Sequence, residues 1–553
     1  MFEEADNLAD IFRGGLPYYL LIVLPILILC SSNPVLASSE FAVQRMSQFD
    51  VHGKQFGCRS SGINLEGKSL YSWSTSRHCV VTRLQDLTVN QFHEIRLKAG
   101  GLVILLPNDI SQFGEDVKQQ IYQLEHLMLT QATSIPVYFS RHDKNFEQVI
   151  ADLQRSATAE DYQSASHKQR ESALSEIMNS ISANGYQIVI TGGSHTTPNK
   201  QSKIPIIQGE LAPMMNIKTV GDVDVNSKLP LVVITANLKT FGLYNDYLNN
   251  PDTAVLLTLA ELFSKLYSTS NAAPKYRLLF LISESGSLLN FQAMKKWVEE
   301  NYQTPNIDFV LCLDAINQAL SEDQTKIFMH VSKPPKEGTP MNVFYKNLKS
   351  IATKYDNVSV EGVHKKISTS EEMAWEHERF TYKRLPAFTL SSVKSHKDPM
   401  RTTIFQEDNE SNIRNTQRKA KIIAESLARS IYNVDDGEIF TGAMDVSSQM
   451  IKSWMHVKSI LHNNDLKNAF EKYLKNVKVT YEKTEPRDPD FLFYDSFDGV
   501  LNVYSVKPAV FDLFLTILIT AYLFSVYFVI LYFPHLYTVV CRMSKESMKT
   551  KVN

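Results

Sequence analysis

From Leu513 to Phe533 the chain runs for about 21 residues without a charged side chain. At about 1.5 Å of rise per residue, a helix of that length covers a hydrocarbon core of roughly 30 Å. The run is apolar on every side and offers no polar face to water, so it reads as a membrane span and not as a core helix. Tyr522, Tyr527 and Tyr532 punctuate it as interfacial or lipid-tolerant aromatics do. Behind it, Arg542, Lys545, Lys549 and Lys551 face only Glu546, and a basic excess of that kind belongs on the cytosolic side. The body of the chain is then lumenal.

At the other end, Leu16 to Cys30 is a shorter apolar run broken by Pro17 and Pro25, and Val35-x-Ala37 follows as a small-residue cleavage site. Residues 1–37 therefore read as a signal peptide. Glu3, Glu4, Asp6 and Asp10 outnumber Arg13, which departs from the basic start of such signals and leaves an uncleaved anchor open. The chain closes on Lys549-Thr550-Lys551-Val552-Asn553, with lysines third and fifth from the end. On a cytosolic tail this is similar to the dilysine address that returns membrane proteins to the endoplasmic reticulum; the plain alternative is two more positive-inside lysines. Of the five cysteines, Cys58, Cys79 and Cys312 would be lumenal. Cys312 lies in an apolar strand, so Cys58 with Cys79 is the one disulfide candidate. Asn357-Val358-Ser359 and Asn409-Glu410-Ser411 are glycosylation sequons, usable where lumenal and exposed.

With 553 residues, 44% of them hydrophobic, the chain can bury more than one core, and a net charge of -2 gives no reason to expect nucleic acid. Residues 38–204 alternate strands at Gly101 to Leu106, Ile135 to Phe139 and Tyr186 to Ile190 with helical patterns, an α/β unit of its own. Residues 205–435 alternate apolar strands with amphipathic helices, which implies a sheet with helices on both faces. Residues 436–507 carry stripes at helical spacing, Met450 to Leu461 and Leu466 to Leu474, and read as a helical membrane-proximal region. The span and its margins occupy 508–534 and the tail 535–553.

Leu231 to Ile234 is an unbroken apolar run, the pattern of a strand buried on both faces. Asn250-Pro251 then starts a helix: the Asn can accept from first-turn amides and the Pro has no amide to leave unpaired. Ligands of such sheets bind at the carboxyl ends of the strands. The stretch resembles the metal-binding strand and helix of zinc aminopeptidases, where His-x-Asp ends the strand and a bridging Asp precedes the helix. Here Asn237-Leu238-Lys239 stands for the triplet and Tyr247 for the bridge, with Asp246 as its substitute if the loop shifts by one residue. Leu278-Leu279-Phe280-Leu281-Ile282-Ser283-Glu284-Ser285-Gly286 is similar to the strand that ends in Glu-Glu-x-Gly, with Ser283 in place of the general base. A serine hydroxyl does not titrate near neutrality. Glu284, Asp314 and His396 still match ligand positions, each with a plain reading as a strand-end or solvent-facing polar residue. Lys239, if about 4 Å from a dication, adds repulsion on the order of 8 kcal/mol at an effective dielectric of 20. Ala99-Gly100-Gly101-Leu102-Val103-Ile104 resembles the protease-associated domain that accompanies these peptidases.

Trp375-Glu376-His377-Glu378-Arg379-Phe380, then Leu385-Pro386-Ala387, and Lys507-Pro508-Ala509-Val510-Phe511-Asp512-Leu513 extend the likeness. Over nearly its whole length the chain resembles the nicalin family, endoplasmic reticulum membrane proteins related to nicastrin. That resemblance implies an α/β fold: an aminopeptidase-like mixed sheet flanked by helices, a protease-associated-like α/β domain and one C-terminal transmembrane helix. It implies no catalysis and no cofactor. It implies as partners a Nodal-modulator-type lumenal protein, a small multipass membrane protein, the translocon, and client multipass receptors or channels. The rival reading is a membrane-tethered zinc aminopeptidase.

Overall fold

The structure is a computed structural model. It describes residues 39–58, 62–166, 185–191, 197–213, 229–240, 242–244, 248–269, 274–301, 303, 306–317, 325–367, 372–405, 409–485, 487–495, 498–506 and 509–549, with the side chains of 156–166 and of parts of 509–549 excepted. Residues 1–37, Tyr247 with Asp246, the Gly192-Gly193-Ser194 turn and Lys551 lie outside the described residues.

Seven strands close into a barrel, in the order Ser39–Arg45, Asp498–Val506, Gly185–Thr191, Ile63–Lys68, His78–Arg83, Gly101–Leu105 and Val137–Ser140. Alternate residues point inward, so Phe41, Val43, Val81, Val103, Ile188, Ile190, Leu501 and Val503 fill it. Phe146 of the helix Lys144–Ser166 closes over them, its ring centroid 4.8 Å from that of Phe41. The barrel corrects the boundary expected at 204. Strand Asp498–Val506 lies between the chain's first strand and Gly185–Thr191, with Ser39 opposite Val503 and Val506 opposite Gly185. Without it both neighbours would present an open edge.

The second body is an eight-stranded mixed sheet in the order Val358–His364, Thr325–Val331, Ala387–Ser391, Ile307–Leu313, Leu231–Asn237, Arg277–Ser283, Lys203–Leu211 and Lys475–Lys483. Strand Leu231–Asn237 runs parallel to both its neighbours, and all of Leu231 to Ala236 is buried, as the unbroken apolar run requires. Val232, Ile234 and Ala236 face the helices Pro251–Thr269 and Glu410–Tyr432. Leu231 and Val233 face the other way, into a core shared with Ile104, Ile121, Leu124 and Phe139 of the barrel unit. The two units are thus welded by one hydrophobic cluster. A five-stranded sheet, Pro198–Asn199, Phe491–Tyr494, Gln48–Val51, Lys54–Cys58 and Ala132–Thr133, lies alongside.

Two further expectations change. The region 436–507 is helical at Ser448–Met455 and Asp465–Tyr473, but it continues as the strands Lys475–Lys483, Phe491–Tyr494 and Asp498–Val506. Val477, Val479 and Tyr481 alternate with polar residues, a period of two that no helix can satisfy. Cys58 and Cys79 are separate, buried thiols. Cys58 Sγ donates to the Ile135 carbonyl at 3.3 Å and accepts from the Val137 amide at 3.2 Å, while Cys79 packs inside the barrel. Burial pushes the Cys58 thiol up to about 11.

The C-terminal helix runs from Ala509 to Lys549, longer at both ends than the apolar run. Leu513, Ile517, Phe524 and Tyr527 are each about 60% exposed, so apolar side chains face outward around the helix with no protein against them. Among the described residues no helix is long and apolar enough to cross a membrane. The side chains at 509–512, 529, 530, 533, 534, 536, 540, 541 and 543–549 lie outside the description.

Candidate functional site

Three adjacent parallel strands, Arg277–Ser283, Leu231–Asn237 and Ile307–Leu313, bring Ser283, Asn237 and the following Asp314 to one edge of the sheet. Asn237 and Ser283 are register partners, and Ser283 Oγ donates to Asn237 Oδ1 at 2.7 Å while lying 3.2 Å from Ser285 Oγ. Asn250 does not cap its helix through the side chain. Its Oδ1 accepts from the Lys239 amide at 2.6 Å and its Nδ2 donates to the Lys239 carbonyl at 3.2 Å, which pins the loop that leaves the strand. Asp252, in the first turn of the same helix, accepts from the amides of Ala315 and Ile316 at 2.9 and 2.8 Å. Ala315 takes a left-handed backbone, φ 55°, to present them.

Asp314, one of the three positions that match ligands by resemblance, is held by an arginine. Arg401 donates from Nε to both carboxylate oxygens at 3.1 Å and from Nη2 to Oδ2 at 2.6 Å. Its Nη1 donates to the carbonyls of Ala374 and His396, and its guanidinium lies 4.3 Å from the centroid of Trp375, which in turn stacks on His330 at 4.0 Å. Lys239 is the second internal cation. Its ammonium is buried without a hydrogen-bond partner; burial lowers its pKa, and Asp252, Asp314 and Glu125 oppose that loss of charge. Lys419, donating to the Ile316 carbonyl at 2.8 Å and to Ser392, is buried with its pKa lowered to about 7 by desolvation, against the pull of Asp252.

The remaining ligand-like residues are turned to other partners. Glu284 accepts from Ser459 Oγ at 2.8 Å and from the Ile460 amide at 2.9 Å, and burial raises its carboxyl to about 7. His396 accepts from Lys365 Nζ at 3.3 Å, and partial burial followed by the Lys365 charge lowers it to about 4, so the imidazole is neutral. Glu376 and His377 lie beneath the edge as structural polar groups. Glu376 accepts from Thr235 Oγ1 at 2.5 Å with its carboxyl raised by burial to about 7, and His377 bonds Thr389 Oγ1 at 2.9 Å.

The residues present do not fit a zinc pair. A ligand set needs carboxylates and imidazoles converging with free lone pairs, whereas here each is committed to an arginine, a lysine or backbone amides. Among the described residues no three His, Cys, Asp or Glu side chains converge where a metal could be held. The reading of the sequence found Asn237, Lys239, Ser283, Glu284, Asp314 and His396 at or beside this edge. It missed Arg401, Asp252 and Glu125. An acid in the first turn after Asn250-Pro251 is a visible signal for Asp252; an arginine in a Pro-containing turn is none for Arg401.

The barrel and the helix-flanked mixed sheet define an α/β protein with a nicastrin-like fold. The crystal structure of nicastrin, a gamma-secretase component, superposes with a TM-score of 0.51 at 9% identity, covering 85% of this chain and all of that one, which shows a shared fold. No protein-family model matches the chain. Human BOS complex subunit NCLN is 33% identical, over 98% of this chain and 99% of its own length, and the zebrafish protein of that name is 33% identical over 99% and 100%. Nicalin of Caenorhabditis elegans is 25% identical over 72% of this chain. The chain belongs to the nicalin family, whose vertebrate members are named as BOS complex subunits.

Proposed function

We propose that this protein is a non-catalytic subunit of a membrane complex in the endoplasmic reticulum, anchored by the helix after Ala509 with its folded body lumenal. In that complex it supports the biogenesis of multipass proteins beside the translocon, together with a Nodal-modulator-type lumenal protein and a small multipass protein, and affects the assembly and exit of receptors or channels. Full-length similarity to proteins named as BOS complex subunits supports the complex. The observation that carries the non-catalytic reading is Asp314 paired with Arg401 near the buried Lys239. An arginine in contact with this carboxylate already compensates its charge and would repel a metal ion at that position, and Ser283 offers no base.

Topology has its own support. Ser39 opposite Val503 brings both ends of the lumenal body to one end of the barrel, where an N-terminal signal and a C-terminal span would meet the membrane together. Asn357 and Asn409 are both exposed, and Asn409 caps its helix through Oδ1, which accepts from the Asn412 amide at 2.7 Å; a glycan on its nitrogen leaves that bond intact. Lys549 and Lys551 supply the retrieval address.

One preparation tests the reading. The tagged chain is purified from membranes, its partners identified, its zinc measured and its peptidase activity assayed. The expected result is co-purified multipass and lumenal partners, substoichiometric zinc, and glycans at Asn357 or Asn409 sensitive to endoglycosidase H. Stoichiometric zinc with aminopeptidase activity lost in Glu284→Gln overturns it in favour of the tethered peptidase.

A further inference from the structure

Where the barrel, the five-stranded sheet and the segment 456–462 meet the carboxyl ends of the central strands, they enclose a cleft of about 530 Å³. We propose that this cleft is a binding site for an extended acidic polypeptide segment. The lining is strongly unequal in charge: Arg45, Arg141, Lys203, Lys239 and Lys458, with His456 and His462, against the carboxylates of Glu284 and Asp495. Glu284 is already committed to Ser459 and Ile460, and burial favours its neutral form. The cations come from separate parts of the chain, so their gathering is a property of the fold and not of a basic run in the sequence.

Met46, Phe49, Leu248 and Phe493 supply apolar walls. Low-dielectric walls around charge of one sign focus the field and draw in the opposite sign. Two of the cationic groups have an unused donor: Arg45 Nε and Lys239 Nζ are buried with no hydrogen-bond partner. The volume lies within the roughly 300–1,000 Å³ of ligand sites, which suits a few residues of chain and not a flat bilayer surface. The position is that of ligands in open α/β sheets, beyond the ends of the strands. On the lumenal reading proposed above, on which this step rests, the source of the segment is the lumenal loop or tail of a membrane protein. Such segments are poor in Lys and Arg by the positive-inside rule, so a cationic cleft discriminates in their favour.

The test uses the full chain in detergent and fluorescence anisotropy with a short labelled peptide rich in Glu, compared with the same peptide carrying Gln. Lys203 and Lys458 are exposed, so the double variant Lys203→Glu/Lys458→Glu leaves the fold intact, checked by an unchanged melting curve. The acidic peptide is expected to bind at least about tenfold more tightly than the neutral one, and the preference to collapse in the double variant and in raised salt. Equal binding of the two peptides, a preference that survives charge reversal, or displacement by anionic vesicles at equivalent charge overturns the proposal. Charge preference in detergent does not depend on topology. Glycan mapping that places the cleft in the cytosol would therefore refute the lumenal source and leave peptide binding standing.

Discussion

Replacing Arg401 by Met separates the two roles open to Asp314. In the present structure the pair is nearly dry, the side chains 4% and 12% exposed, and Asp314 takes three bonds from one guanidinium. Removal of one partner of a buried pair leaves the other desolvated and uncompensated, which costs about 3 to 5 kcal/mol. Two further effects add to it: the carbonyls of Ala374 and His396 lose a donor, and Asp314 is left near Asp252 without its paired cation. The double variant Arg401→Met/Asp314→Asn removes both charges and is expected to cost less than the single one, with a coupling of about 2 kcal/mol or more. Urea unfolding of the full chain, followed through tryptophan fluorescence, reads both values, because Trp375 lies under the guanidinium. Additive costs, or a single variant as stable as the wild type that takes up zinc, would show that Asp314 is an open ligand and refute the argument.

Other perturbations reach the same architecture from different sides. Burial raises the Glu376 carboxyl from 4.5 to about 7, so its stabilising contribution is complete below pH 4.5 and is lost as pH rises through about 7. Glu376→Gln, neutral throughout, should gain on the wild type by about 3 kcal/mol across that window in urea titrations, and a difference independent of pH would count against it. Glu125, from the helix Glu115–Thr130, accepts from Thr403 Oγ1 and from the Ile404 amide at 2.8 Å, joining barrel unit to sheet. Glu125→Ala should cost about 1 to 3 kcal/mol and speed hydrogen exchange at Ile404, with unchanged exchange there showing that the bond is dispensable. A secreted lumenal chain ended at 506 should fold, whereas one ended at 497 lacks a barrel strand and should be retained and degraded; equal secretion of the two would mean the barrel closes without it.

What was legible in the sequence follows from range. Leu231–Asn237, Arg277–Ser283 and Ile307–Leu313 are buried on both faces and announce themselves as apolar runs, and parallel pairing then places their ends together without further information. Glu284 was readable as a strand-end carboxylate bonding an amide, and it is one. Barrel closure was not readable, because Ser39 pairs with Val503 across nearly the whole chain and Asp498–Val506 carries only a weak alternation, buried at Leu501 and Val503. A separation of 87 residues likewise hides Arg401 from Asp314. Cys58 and Cys79 looked like a pair because nothing local shows that one packs outside the barrel wall and the other within it.

Buried acids side by side pose an energetic question that the edge of the sheet answers by itself. The charge of Asp314 raises the cost of ionising Asp252, and both side chains are largely out of water. Carboxylates at such an edge need positive charge nearby, and Arg401 on Asp314, with Lys239 acting on both acids, supplies it. Because both cations are part of the chain, compensation arrives with folding and does not depend on a free ion. Lys239, just beyond the end of strand Leu231–Asn237, thus serves this edge as a counter-charge.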